Sequence, residues 1–339
     1  MDRCHSAGFA AAVLVALPPL AAPVTARAQE ATVLTEDLCT NCSIAAIPDV
    51  ELGNDGESVI GVAWDIHRRP DGRFVMAFQD VTYEFTIFSA DGSGFQRVGR
   101  EGEGPGEYAH VYFVRESGGE LHVFDRARRR LTVLDPDFEV IRTATLDCLN
   151  CFGLDFVLLP GGATALNTTV PAGGREAFAT AKTAFVIHVF DANGNLIHSM
   201  DEIPMDGPFT PAEDDGRFLE VAPDGSLLSV RANEYRIDRW DPQSGKLLQS
   251  WVREEDPFPG GQYRIQPDDA GRLWVYVYQG LDSPRVVEVL DLDSGRVLVS
   301  QVVDAKGIFF APGWVADYDN EAIFPKYRMY RLQLVGDPG

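Results

Sequence analysis

The chain has 339 residues, 51 acidic against 29 basic, a formal charge of −22, with 45% hydrophobic and 10% aromatic residues. That apolar content can build a core, which excludes wholesale disorder. The acidic surplus, met by no basic cluster larger than Arg126, Arg128, Arg129 and Arg130, argues against nucleic-acid binding.

Residues 1–28 read as an export signal: Arg3, an apolar run from Ala7 to Leu20, then Ala26-Arg27-Ala28 as a small-x-small cleavage site. Pro18 and Pro19 break the run, which is shorter than the roughly 20 apolar residues a spanning helix needs. The mature protein is expected to start near Gln29, to be periplasmic or extracellular with no integral membrane segment, and to act as a monomer. Without Asp2, Arg3 and Arg27 its charge becomes −23.

Cleavage also removes Cys4 and leaves two matching pairs, Cys39-Thr-Asn-Cys42 and Cys148-Leu-Asn-Cys151. An even count in an exported chain favours disulfides. A Cys4 zinc site is an alternative, if all four sulfurs meet within about 4 Å. A thiol-oxidoreductase site is another, but it needs a helix behind the CxxC, and no amphipathic helical segment follows either pair.

From Pro48-Asp-Val-Glu-Leu-Gly53 onwards, short β-rich runs bounded by Gly, Asp, Asn and Pro replace any helical period, so the class is all-β. One turn series runs Phe88-Ser-Ala-Asp-Gly, Leu134-Asp-Pro-Asp, Phe190-Asp-Ala-Asn-Gly, Trp240-Asp-Pro-Gln-Ser-Gly and Leu290-Asp-Leu-Asp-Ser-Gly, at intervals of 46, 56, 50 and 50 residues. A second, aligned on Gly72, Gly119, Gly162, Gly225 and Gly271, has intervals of 47, 43, 63 and 46. Two turn types alternating at one period describe four-stranded antiparallel units with Gly or Asn where positive φ is needed. Repeats of roughly 40–50 residues with that content are propeller blades. Five are visible, and a sixth, starting at about Gly313-Trp-Val-Ala-Asp and ending with Tyr330-Arg-Leu-Gln-Leu-Val, stops short of its outer strand. A strand at about residues 44–53 can supply it and close the ring, giving one six-bladed domain over 29–339. The longest interval holds inserted loops at 171–183 and 207–216, where a regular scaffold tends to place function.

Gly99-Arg-Glu-Gly-Glu-Gly-Pro-Gly-Glu-Tyr108 and the Cys39-x-x-Cys42 that precedes a Leu-Gly strand resemble bacterial exported six-bladed propellers related to the NHL-repeat group. The resemblance spans roughly residues 35–336 and implies the fold; the group shares no common reaction to carry over. The glycines of 99–106 are not a nucleotide fingerprint, because no helix follows them and Glu101, Glu103 and Glu107 would repel phosphate. They read as a tight crossover between blades, with Glu107 free to accept backbone hydrogen bonds.

Propeller ligands usually bind where the innermost strands face the central channel. Counting back seven positions from each aligned glycine gives Asp65, Tyr112, Asp155, Phe218 and Arg264, and His67 and His110 lie beside these positions. His122 and His188 alternate with apolar residues and read as structural strand positions. Asp65, His67, His110, Tyr112, Asp155 and Arg264 are therefore the candidate channel-mouth residues. Two readings follow. The first is an exported binding or scaffolding module for a protein, peptide or saccharide. The second is a lactonase-like calcium-dependent hydrolase or lyase, which would need six to eight oxygen ligands, of which only Asp65 and Asp155 are visible. Acidic insertions at Glu213-Asp-Asp215 and Glu254-Glu-Asp256 mark surfaces where a basic partner or a cation would be sought.

Overall fold

Phe74-Val-Met-Ala-Phe78 is buried at every position, as a strand must be when its sheet is covered on both faces. A computed structural model shows what covers it. It describes residues 31–53, 61–148, 153–177, 179–207, 210–211, 214–280, 285–303, 309–311, 313–319 and 325–336. Six sheets form, one per repeat, and the protein is an all-β, six-bladed propeller. The hydrophobic core is divided into six clusters, each lying between two neighbouring blades. Alternate residues of one strand serve opposite neighbours: Leu121 and Val123 pack towards blade one, and Phe124 towards blade three.

Taken from the channel outwards, blade one is Ala63–Arg68, Phe74–Phe78, Phe85–Phe88 and Phe95–Val98, and blade two is Val111–Ser117, Glu120–Asp125, Arg130–Leu134 and Val140–Thr145. Blade three is Phe156–Leu158, Thr164–Pro171, Thr183–Phe190 and Leu196–Gly207; blade four is Arg217–Val221, Leu227–Arg231, Arg236–Asp241 and Lys246–Val252. Blade five is Gln262–Pro267, Arg272–Tyr278, Arg285–Asp291 and Arg296–Val303. Blade six takes Phe309–Ala311, Trp314–Asp319 and Lys326–Val335 from the C-terminal end and its outer strand, Ser43–Leu52, from the N-terminal end. The closing strand thus lies where the sequence puts it, antiparallel to Lys326–Val335 from Tyr327↔Leu52 to Val335↔Ser43. The sixth blade begins one strand earlier than Gly313. Gly313 has φ +70 and makes the turn after the inner strand Phe309–Ala311, the place Gly72 takes in blade one.

A second N-terminal device has no counterpart in the sequence reading. Thr32–Val33 runs parallel to Trp251-Val252 on the outer edge of blade four, and Thr35–Glu36 runs parallel to Arg296-Val297 on blade five. Between them Leu34 is buried in the cluster of those two blades, so residues 32–36 strap the seam and cover two open edges. Asp37 pairs with Arg296 at 2.8 Å, and the Cys39 amide donates to the Leu298 carbonyl at 2.9 Å. Cys39 and Cys42 then form a disulfide, so neither sulfur is free to bind zinc. Cys148 is also disulfide-bonded, while Cys151, with which the sequence pairs it, lies outside the described residues. Closing so short a loop constrains little of the unfolded chain. The Cys39→Ser/Cys42→Ser variant is expected to stay folded and to lose about 2 kcal/mol at most in urea unfolding.

The glycine-rich stretch is the crossover from blade one to blade two. The Glu107 carboxylate accepts from the Gly104 amide at 2.8 Å and from Arg100 Nε at 2.9 Å. Gly102, at φ +155, lies where any side chain would collide with that carboxylate, and Tyr108 behind it is fully buried.

Candidate functional site at the channel mouth

Each inner strand starts at the same end of the channel. By antiparallel topology, the crossovers between blades and the loops joining second to third strands gather at that end too. Both inserted segments, the 172–182 loop of blade three and the crossover from blade three to blade four, are therefore on this face. The acidic insertions are there as well; Glu254 and Glu255 are exposed, while the three aspartates are spent on structure. Asp214 accepts from the Gly216 amide at 2.7 Å, Asp215 accepts from the Thr169 hydroxyl, and Asp256 accepts from the Tyr263 hydroxyl at 2.5 Å and the Phe258 amide at 2.8 Å. Glu213 lies outside the described residues.

A cavity of about 430 Å³ opens at this end. Asp65, His67, Tyr112, Asp155 and Arg264 all line it, as does Phe218 at the remaining counted position. His110 does not reach it. Its ring packs behind the wall, 6.2 Å from Trp64 and 5.8 Å from Tyr112 between centroids, and burial lowers its pKa. His188 is a satisfied structural histidine, with Nδ1 2.7 Å from the Ser199 hydroxyl and Nε2 2.8 Å from the Thr168 carbonyl.

At the centre of the site is a residue the sequence reading missed. The Arg115 guanidinium from blade two pairs with Asp65 of blade one and, at 3.3 Å, with Asp155 of blade three. Each carboxylate also accepts a backbone amide from the following blade: Val114 N to Asp65 at 2.9 Å, and Leu219 N to Asp155 at 2.9 Å. These contacts bind blades one to four at the channel and fix the charged groups before any ligand arrives. Arg115 is the register counterpart of His67, since both inner strands shift at the same place. The turn after it is one residue shorter in blade two, so counting back from Gly119 lands one residue early, and Val114 is left in the core between blades one and two. The second omission, Glu220, lies two residues beyond Phe218 on the same strand, and period-two counting would have found it.

Burial raises the Glu220 pKa to about 8, aided by Asp155 and opposed by Arg115 and Arg264, so its carboxyl is protonated at neutral pH. Burial and the nearby Arg115 push His67 down to about 4, leaving it neutral. Arg264 lies over the Phe218 ring at 3.5 Å from its centroid. Trp64 and Tyr112, 4.8 Å apart, form an aromatic wall.

Calcium does not suit this donor set. Asp65 and Asp155 are committed to a guanidinium and to backbone amides, and Arg264 adds a second positive charge beside them. Among the described residues no group of three or more His, Cys, Asp or Glu side chains is placed to hold a metal ion.

The fold and the site together define a six-bladed propeller with a preorganised channel-mouth pocket. A family model described as a 6-bladed beta-propeller matches residues 74–168. Among solved structures, the chain is similar to a member of the duf4221 family from Bacteroides vulgatus, at 11% identity and TM-score 0.63 over 88% of this chain and 99% of that one. A Bacteroides fragilis protein described as a candidate exported protein is similar at 12% identity and TM-score 0.58, over 89% of this chain and 99% of that one. The inactive H270A virginiamycin B lyase of Staphylococcus aureus is similar at 11% identity and TM-score 0.51, over 87% of this chain and 100% of that one. Identities this low carry the fold alone. No curated protein matches the chain by sequence. Among the described residues no helix is long and apolar enough to cross a membrane.

Proposed function

We propose that this protein is an exported binding module, cleaved near Ala28 to a monomeric mature chain, that takes a protein, peptide or saccharide ligand at the channel mouth. The observation that carries this reading is convergence: five blades contribute side chains to one cavity, charged at its centre and aromatic at its wall. A cavity of about 430 Å³ is within the usual span of small-ligand sites. It would hold one residue or sugar of a larger partner while the inserted loops meet the rest. N-terminal sequencing of the exported protein tests the cleavage.

The site itself is tested by screening the mature chain against peptide, oligosaccharide and small organic-acid panels by thermal shift, with Gln262→Trp in parallel. Gln262 is exposed at the cavity rim, so a tryptophan there should obstruct the mouth without entering the core. Ligand binding is expected to disappear in Gln262→Trp while the unliganded melting temperature stays within about 2 °C of the parent, as for other surface substitutions. A ligand bound equally by both proteins, or no ligand from any panel, would sink the proposal.

A further inference from the structure

Arginine 264 differs from the other buried arginines. Arg115 has Asp65 and Asp155, Arg217 has Asp201 at 2.5 Å, and Arg253 has Glu288 at 2.7 Å. Arg264 faces the cavity and lies on the Phe218 ring, but forms no hydrogen bond or contact ion pair with any described residue. A guanidinium cannot shed its proton, and leaving its donors unmet away from bulk water is costly. Stacking offsets part of that cost and leaves the planar N–H edge free. We propose that the channel mouth binds a carboxylate, gripped in a two-pronged manner by Arg264 and hydrogen-bonded by the Glu220 carboxyl, with the ligand's apolar body against the aromatic wall.

This inference rests on the channel mouth being the binding site and adds the ligand's chemistry. A guanidinium fork matches carboxylate or phosphate. The surrounding charge chooses between them. Asp65 and Asp155 match Arg115 and Arg264 in charge, but both carboxylates are held by Arg115 and by backbone amides, so the Arg264 donor edge is left without a contact partner. A monoanion fills that edge with one added charge, whereas a phosphate dianion would bring a second up against Asp155 and Asp65. The groups acting on Glu220 are Asp155 from blade three, Arg115 from blade two, and Arg264 and the buried Tyr276 hydroxyl from blade five. While protonated, Glu220 donates to the bound carboxylate; once ionised above about pH 8, it repels it. Affinity should therefore be full below that pH and fall as it is exceeded. His67, held neutral, does not contribute to the change.

The carboxylate could belong to a free acid or to a peptide C-terminus, and calorimetry on the mature protein can separate the two. The probes are phenylacetate, phenylacetamide, inorganic phosphate, and Gly-Gly-Phe with a free or an amidated C-terminus. At least one free carboxylate is expected to bind about tenfold or more tighter than its amide and than phosphate, as for a charge-assisted pair, and the tighter carboxylate identifies the source. Arg264→Met should weaken it by at least that factor. Glu220→Gln, which keeps a donor but cannot ionise, should abolish the decline between pH 7 and 9. If Arg264→Met does not fold, Arg264→Lys, which keeps the charge and loses the fork, is expected to show a similar loss.

Equal affinity for acid and amide, unchanged binding in the Arg264 variant, tighter binding of phosphate, or no carboxylate binding at millimolar concentration would each overturn the assignment. A neutral saccharide blocked by Gln262→Trp, with no carboxylate bound, would overturn it while leaving the channel-mouth site standing.

Discussion

Deleting residues 1–53 is expected to abolish cooperative folding, whereas deleting only residues 1–37 should leave a folded, weakened propeller. The first deletion removes the outer strand of blade six. Its ladder to Lys326–Val335 spans the whole strand, and its loss would open a long edge. It also removes Leu52 from the cluster between blades one and six and Ile44 from the cluster between blades five and six. Each such burial is worth about 1.5–3 kcal/mol. Losing several on both sides of one blade, together with its ladder, exceeds the roughly 5–15 kcal/mol by which domains are stable. The second deletion costs mainly Leu34 and two two-residue ladders, about 2–4 kcal/mol. Urea unfolding and size-exclusion chromatography distinguish the cases. A cooperative transition in the chain lacking residues 1–53, at the parent's midpoint, would show that the closing strand is dispensable.

The closing strand could be read from sequence because a propeller short of one strand has few places to find it, and Val50-Glu-Leu-Gly53 resembles the Phe95-Gln-Arg-Val-Gly99 run that ends blade one. The blade turns were legible for a stricter reason. Gly72, Gly119, Gly162, Gly225 and Gly271 all have positive φ, a conformation that selects glycine and so leaves a periodic mark. Gly313, 42 residues after Gly271, belongs to the same series, and taking it as a strand start rather than a turn misplaced the sixth blade by one strand. The strap at residues 32–36 leaves no such mark, because strands of two residues have no period and its parallel pairing needs edges that exist only once the ring has formed.

The site divides in the same way. Asp65, Tyr112, Asp155, Phe218 and Arg264 follow from counting back from the periodic glycines, and all five reach the cavity. Arg115 is missed because the turn after blade two's inner strand is one residue shorter than in blade one, which only the paired registers reveal. Nor could spacing show that Arg115 joins two carboxylates from different blades, or that Arg264 is left on an aromatic ring without a partner. Those facts depend on how the blades close around the channel.

The seam that holds Arg264 over Phe218 is itself fixed by a buried clasp, and breaking it gives the second large effect. Glu288 of blade five is fully buried; it accepts from Arg253 Nη2 at 2.7 Å and from the Tyr235 hydroxyl at 2.5 Å, both on the blade-four side. Arg253→Ala would leave a carboxylate in the core without its cation, a change that costs about 3–5 kcal/mol. Glu288→Leu in the parent strands Arg253 and Tyr235 in the same way and should cost a similar amount. Combined as Arg253→Met/Glu288→Leu, the changes remove both charges together, and the double variant should recover most of either loss. Urea unfolding of the three variants completes the cycle, and a cost below about 1 kcal/mol for Arg253→Ala would show that the pair is not a clasp. Because Phe218 belongs to blade four and Arg264 to blade five, loosening this seam should also disturb their stacking. Carboxylate affinity is then expected to fall in Arg253→Ala and to be largely restored in the double variant, although neither substituted residue lines the cavity.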